Sequence, residues 1–240
     1  MMHQPPEKSP VTFSTTIRRI ACLGIVGGYL NAIGFIDLGG LYPAAMTGNT
    51  TQLGLAIVKL QWARVFLIGS TVFCFFAGGV LSSLLQRVLI HPAFELLLMI
   101  ALVSLAQIVR MIVPDAMPWE LPLLAFTLAM QGETVTRFAG SSMQTVVVTN
   151  TLLKFADSVV GRYVKYNDAT RTSRADFVIP GTSWLAYLLG AGLGGLASIN
   201  LSYPFVPTLI LLLILAMDIF AWPAHLSREG GKGTVRQPGA

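Results

Sequence analysis

The chain has 240 residues, of which 54% are hydrophobic and 11% are charged, with a mean hydropathy of +0.68. A soluble domain carries about 25% charged residues, so a water-exposed surface is excluded and the solvent is largely lipid. The net charge of +5 resides mostly in short loops and tails, which is a topology signal and not a nucleic-acid patch.

Residues 1–17 are polar, with Pro5, Pro6 and Pro10, and read as a disordered cytoplasmic tail. Arg18 and Arg19 precede the first apolar run, Ile20 to Leu38, in which no small-residue cleavage site follows; the run reads as an uncleaved first helix. A spanning helix needs about 20 mostly apolar residues. Leu41 to Leu60 is apolar except for Thr47-Gly48-Asn49-Thr50-Thr51-Gln52. Val65 to Leu89 and Phe94 to Val113 follow, and Pro114 and Pro118 mark a break. Leu121 to Phe138, Thr145 to Val164, Phe177 to Ile199 and Pro204 to Trp222 complete the series. The expected fold is an all-α polytopic transmembrane bundle of six to eight segments. It occupies 18–222, followed by a disordered cytoplasmic tail over 223–240.

The chain reads as two halves, 20–113 and 121–222. Residues 47–50 are TGNT and residues 148–151 are VTNT, offset by 101. Phe75-Phe76-Ala77-Gly78-Gly79 resembles Leu188-Leu189-Gly190-Ala191-Gly192, offset by 113. If both polar segments cross, there are eight spans and the halves run parallel. If both dip in and return, there are six and the halves are inverted. With a cytoplasmic N-terminus, eight spans leave Arg87 and Arg137 outside, and six leave Lys59, Arg64 and Arg110 outside, out of 16 Lys and Arg. Charge barely separates the two. Trp62, Trp119, Trp184 and Trp222 all fall on the cytoplasmic face only with eight spans, which favours eight and a cytoplasmic 59–64 loop.

Polar side chains at membrane depth need protein partners or water. The interruption at Thr47, Gly48, Asn49 and Thr50, with Pro43 before it, allows a broken helix whose freed backbone groups could bind a solute or ion. Interhelical hydrogen bonding explains the same residues without a ligand. The recurrence at Thr149 and Asn150 supports two facing elements. Glu133 and Arg137, and Lys154 and Asp157, place opposite charges on single helix faces. Mid-membrane charges face a partner or a watery cavity, so Glu133 is either a cation or proton site or a neutraliser of Arg137. Gly24/Gly28 and Gly190/Gly194 are GxxxG spacings that report close helix packing. Cys22 and Cys74 suggest neither a disulfide nor a metal site. No cofactor, metal or nucleic acid is expected. No phosphate loop, HExxH or GxSxG is present, and no enzyme is expected.

Gly28-Tyr29-Leu30-Asn31-Ala32, Gly39-Gly40 and Met46-Thr47-Gly48-Asn49-Thr50 resemble the signature of the YoaK-type bacterial membrane family, domain of unknown function 1275. Met130-Gln131, Thr134-Val135, Arg137 and Gln144 to Thr149 agree with it. The resemblance covers about residues 20–222 and implies a multi-pass bacterial inner-membrane protein with no established activity. Two departures are Asn31, where that family usually has Asp, and Glu133, where it usually has an apolar or small residue. The expected function is a small-solute transporter or channel-like protein. Its expected site is Asn31, Thr47, Gly48, Asn49, Thr50, Gln131, Glu133, Thr149 and Asn150, between the halves. The alternative is a scaffold or partner subunit whose polar residues serve packing. The expected partners are the lipid bilayer and a small-molecule or ion substrate, with self-association left open.

Overall fold

The computed structural model describes residues 13–88, 93–113, 116–139, 148–163 and 174–230. These residues form eight helices: α1 (Phe13–Asp37), α2 (Met46–Val58), α3 (Trp62–Val88), α4 (Ala93–Ile112), α5 (Met117–Ala139), α6 (Val148–Tyr163), α7 (Arg174–Asn200) and α8 (Val206–Gly230). Each apolar run of the sequence becomes one helix, because a chain in hydrocarbon must satisfy its backbone groups internally. Helix α1 starts at Phe13 rather than at 18, with Thr15 and Thr16 already buried in the bundle. Helix α8 continues to Gly230 rather than stopping at 222.

By length and composition α1, α3, α4 and α7 are able to cross a membrane. Helices α5 and α8, of 23 and 25 residues, are as long. The other two are short. Helix α2 has 13 residues and α6 has 16. At 1.5 Å per residue these reach about 20 and about 24 Å, against a hydrocarbon core of about 30 Å.

The packing gives each helix a direction. Gly24 meets Ala186, Tyr29 meets Gly194, and Ser198 donates to Asp37. Position numbers rise together, so α1 and α7 are parallel. Gly78 meets Phe126 and Ser82 approaches the Met130 carbonyl, so α3 and α5 are parallel as well. Tyr29 donates to the Pro204 carbonyl while Arg18 and Arg19 pair with Asp218, which sets α8 antiparallel to α1. The bundle therefore has a near end, where α1 begins, and a far end, where Asp37 ends α1 and Arg110, Glu120 and Phe205 gather around it.

Helix α2 does not cross. After Asp37 the chain reverses through Gly39 and Gly40, at φ +69° and +74°; a left-handed backbone suits glycine because other residues meet a Cβ clash there. It then runs back along α1, so that the Ala44 N–H bonds to Asn31, about 9 Å below Asp37 at helical rise. Helix α2 starts at that depth and returns to the far end, where Arg64 near the start of α3 bonds Gln52. The segment is a re-entrant hairpin. The 59–64 loop therefore lies at the end opposite the start of α1, which fits six crossings rather than the eight that the tryptophans favoured. Trp62 and Trp119 are exposed at the far end, while Trp184 lies in the near part of α7. The tryptophans are thus divided between the ends. Helix α6 behaves similarly from the other side. Thr149 sits beside residues from the middle of α1, whereas Phe155 packs on Phe177 and Gly181 in the first two turns of α7. Its far-pointing start is therefore at mid-depth and its end is at the near end.

The core between the helices is aliphatic, with Leu23, Leu30 and Ile33 of α1, Leu96 and Met99 of α4, and Leu124 and Leu128 of α5 fully enclosed. The Gly190 and Gly194 positions of α7 lie against backbone atoms of Ile25 and Tyr29. The GxxxG spacing is thus a packing device here.

Candidate functional site

One cavity of about 740 Å³ lies between α1, the start of α2, α3, the start of α6, and α7. Its α1 wall is the stripe Gly28, Asn31, Ala32 and Phe35, a three- and four-residue spacing that puts one helix face on one space. Opposite stand Tyr187, Ala191 and Gly195 of α7, again at one-turn spacing. Phe75 of α3 closes a side.

The start of α2 supplies Thr47 and Gly48, and the start of α6 supplies Thr149. The first amides of a helix have no intrahelical acceptor, and the aligned peptide dipoles leave partial positive charge there. In α2, Met46 N–H reaches the Ala44 carbonyl and Asn49 N–H the Ala45 carbonyl. Thr47 and Gly48 lie between them, on the cavity. Two helix starts from opposite ends of the bundle thus converge on one space, whose lining is mostly apolar with a few hydroxyl and amide groups. The described lining holds Thr, Tyr and Asn side chains and no carboxylate. No group of three His, Cys, Asp or Glu able to hold a metal occurs among the described residues.

Two expected site residues at the hairpin, Asn49 and Asn31, have structural work. Asn49 is fully buried. Its Oδ1 accepts from Tyr42 N–H at 3.2 Å and its Nδ2 donates to the Tyr42 carbonyl at 2.6 Å. The side-chain amide thereby completes the backbone pairing that the re-entrant loop cannot make for itself. Asn31 lines the cavity, yet its Nδ2 donates to the Gly27 carbonyl at 3.0 Å and its Oδ1 accepts from Ala44 N–H at 2.9 Å. The Tyr187 hydroxyl also reaches it. Asn31 fixes the bottom of the hairpin and presents only its remaining capacity to the space. Asn49→Ala strands both Tyr42 groups, and each unsatisfied buried group costs about 1–3 kcal/mol. The expected result is a stability loss of about 2–4 kcal/mol, read as a lowered thermal midpoint; an unchanged midpoint would contradict the pairing.

The other expected residues divide by helix geometry. Thr47, Gly48 and Thr149 line the cavity. Thr50 is exposed on another side of α2 and Asn150 on another side of α6, because one residue turns a helix by about 100°. Neither lines the space. Gln131 is fully buried and donates to the Leu23 carbonyl, joining α5 to α1 outside the cavity. Glu133 and Arg137 belong to α5, but their side chains lie outside the described residues. Tyr42, Phe75 and Tyr187 line the site without having been expected. Only Tyr187 had a legible cue, its place one turn before the small-residue stripe Ala191 and Gly195.

Charged groups close both ends of the bundle. At the near end Asp218 of α8 accepts from Arg18 and Arg19 of α1, with Arg19 bound at 3.0 Å and buried. At the far end Arg110 of α4 pairs with Asp37 of α1 and approaches Glu120 of α5 at 3.6 Å. Ser198 of α7 donates to Asp37 at 2.5 Å. Each cluster joins helices of the first four to helices of the last four.

The UPF0700 transmembrane protein YoaK of Bacillus subtilis (strain 168) is 24% identical to this chain over 198 residues, covering 77% of this chain and 84% of that protein. No solved structure matches. The profile of the family described as protein of unknown function (DUF1275) matches residues 20–217, a stretch holding α2 through α7, both helix starts and the far-end charges; the chain is an integral membrane protein and belongs to that family.

Proposed function

We propose that the protein moves a small solute across the membrane through the space between two inverted halves, α1–α4 and α5–α8. The observation that carries this reading is the convergence of Thr47, Gly48 and Thr149, at the starts of two half-length helices, on one cavity. Exchanging the halves maps α1 on α7 onto α5 on α3, α2 on α3 onto α6 on α7, and α4 on α5 onto α8 on α1. An inverted pair of this kind places a site at mid-membrane, where rocking of one half against the other exposes it to alternate sides.

The lining favours a solute with a hydrogen-bond-accepting or anionic group. Helix starts offer N–H donors and positive potential, the hydroxyls of Thr47 and Thr149 add donors, and no described carboxylate opposes them. The buried bonds of Asn31 and Asn49 support the packing alternative for those two residues. They leave the cavity and the two helix starts without a packing rationale. The charge count supports a cytoplasmic near end in a bacterial inner membrane, since only Lys59, Arg64 and Arg110 of the 16 Lys and Arg then fall outside.

A thermal-shift screen of the purified protein against small anions and polar metabolites tests this, because a ligand that binds the folded state raises its apparent stability. At a hundredfold excess over Kd the gain is about 2.7 kcal/mol. A concentration-dependent rise with carboxylates, phosphates or inorganic anions is expected. Rises confined to cations would contradict the solute class.

A further inference from the structure

The far-end cluster contains two carboxylates and one guanidinium, and the three are unequally matched. Asp37 holds Arg110 directly and also accepts the Ser198 hydroxyl. Glu120 has only the 3.6 Å approach of Arg110 Nη1, and neither that nitrogen nor Glu120 Oε1 has a hydrogen-bond partner. Glu120 is 1% exposed. The charged groups that reach it are Arg110 of α4 and Asp37 of α1. Helix α3, also packed on α5, has Arg64 at this end, but its guanidinium is bound to Gln52. Helix α7 offers the uncharged Ser198, and the start of α8 offers the Phe205 ring, 5.3 Å from the Arg110 guanidinium.

One cation does not neutralise two carboxylates, of which Asp37 is partly exposed and Glu120 buried, and a buried surplus charge is costly. The better-bonded carboxylate keeps the charge. We propose that this cluster is a proton-binding site, that Glu120 carries the proton, and that its release loosens the joint between the halves at the far end. With Glu120 neutral, Asp37 and Arg110 form a balanced pair. With Glu120 ionised, one negative charge is left over among α1, α4 and α5. The cluster also lies beside the cavity. Asp37 follows the lining residue Ile36, and Ser198 is one turn beyond the lining residue Gly195. Loosening the Asp37–Ser198 joint therefore frees the far wall of the cavity.

The site does not depend on the identity of any solute, so its test stands apart from the ligand screen. Thermal unfolding of the purified full chain is compared with that of Glu120→Gln between about pH 5 and pH 8. Glutamine keeps the shape of the neutral acid and never titrates. A carboxyl that holds its proton when folded and releases it when unfolded makes stability fall as pH rises above its unfolded value. The two midpoints are expected to draw together toward pH 5, with E120Q the higher by about 2–4 °C at pH 8. If E120Q is instead the less stable protein at pH 8, Glu120 is ionised and paired with Arg110, and the proposal fails. A second measurement reads the joint itself. Thr47→Cys, in a background lacking Cys22 and Cys74, is labelled with a soluble maleimide at pH 8 with either Glu120 or E120Q. Severalfold faster labelling with Glu120 is expected. Equal rates would overturn the link between the proton and the opening.

Discussion

Gly190→Ala is expected to unfold the bundle more readily than any change on a lipid-facing position. A methyl built on Gly190 falls 2.7 Å from the Ile25 Cα and still nearer to the Ile25 carbonyl. The obstructing atoms are backbone, so no side chain can rotate away. Gly28 of α1, which faces Tyr187 and Ala191 of α7, is as tight, with a built methyl 2.9 Å from the Ala191 nitrogen. Either substitution forces α1 and α7 apart along the most extensive helix pair of the fold. Overpacking of this kind costs about 3 kcal/mol, which for a chain of this size lowers the midpoint by about 6–12 °C. Gly192 provides the control on the same helix. A methyl there meets nothing within 4 Å, so Gly192→Ala should be neutral or slightly stabilising through helix propensity. Equal midpoints for Gly190→Ala and Gly192→Ala would contradict the described contact between α1 and α7.

Gly48→Val is expected to do the opposite, keeping the fold and removing the proposed solute binding. The position lies in the first turn of α2, and a methyl built on it meets nothing within 4 Å. A side chain there extends into free space beside Thr47. Valine should leave the thermal midpoint close to that of the parent chain, since helical glycine is itself unfavourable by about 1 kcal/mol relative to alanine. It should weaken the ligand found in the thermal-shift screen by roughly tenfold or more, a loss of about 1.4 kcal/mol of binding. Flux of that ligand into proteoliposomes should fall with it. Unchanged binding and flux in a folded Gly48→Val protein would move the site away from the start of α2.

The contrast between these glycines shows what was legible in the sequence. The spacing of Gly24, Gly28, Gly190 and Gly194 announced close packing, because small residues at one-turn intervals have few other uses between membrane helices. The eight helices were legible for a similar reason, since lipid requires long apolar stretches. The direction of the two short ones was not. Leu41 to Leu60 looked nearly long enough to cross, but Gly39 and Gly40 reverse the chain and residues 41–45 are spent on the return along α1. Only 13 residues then remain helical. Of the residues in the polar interruption and its recurrence, Thr47, Gly48 and Thr149 meet at one cavity. Its asparagines were ambiguous because an amide serves a backbone as readily as a ligand. Asn49 turned inward to Tyr42 and Asn31 to Ala44. The end clusters were hidden by distance along the chain. Asp37 and Arg110 are 73 residues apart, and Arg19 and Asp218 are 199 apart, so no periodicity connects them.

Helices α2 and α6 are half-length helices that start at mid-depth and run to opposite ends of the bundle, and sidedness tests this most directly. Single cysteines are placed at Gln61, in the turn between α2 and α3, and at Val160, near the end of α6 and 54% exposed, in a chain lacking Cys22 and Cys74. Each is exposed to a membrane-impermeant thiol reagent, in whole cells and in inverted membrane vesicles. The structure predicts that the two are labelled from opposite sides, and the proposed cytoplasmic near end predicts that Gln61→Cys reacts in whole cells and Val160→Cys in inverted vesicles. Labelling of both from the same side would mean that α2 and α6 each cross the membrane, and would contradict the re-entrant architecture together with the inverted halves inferred from it.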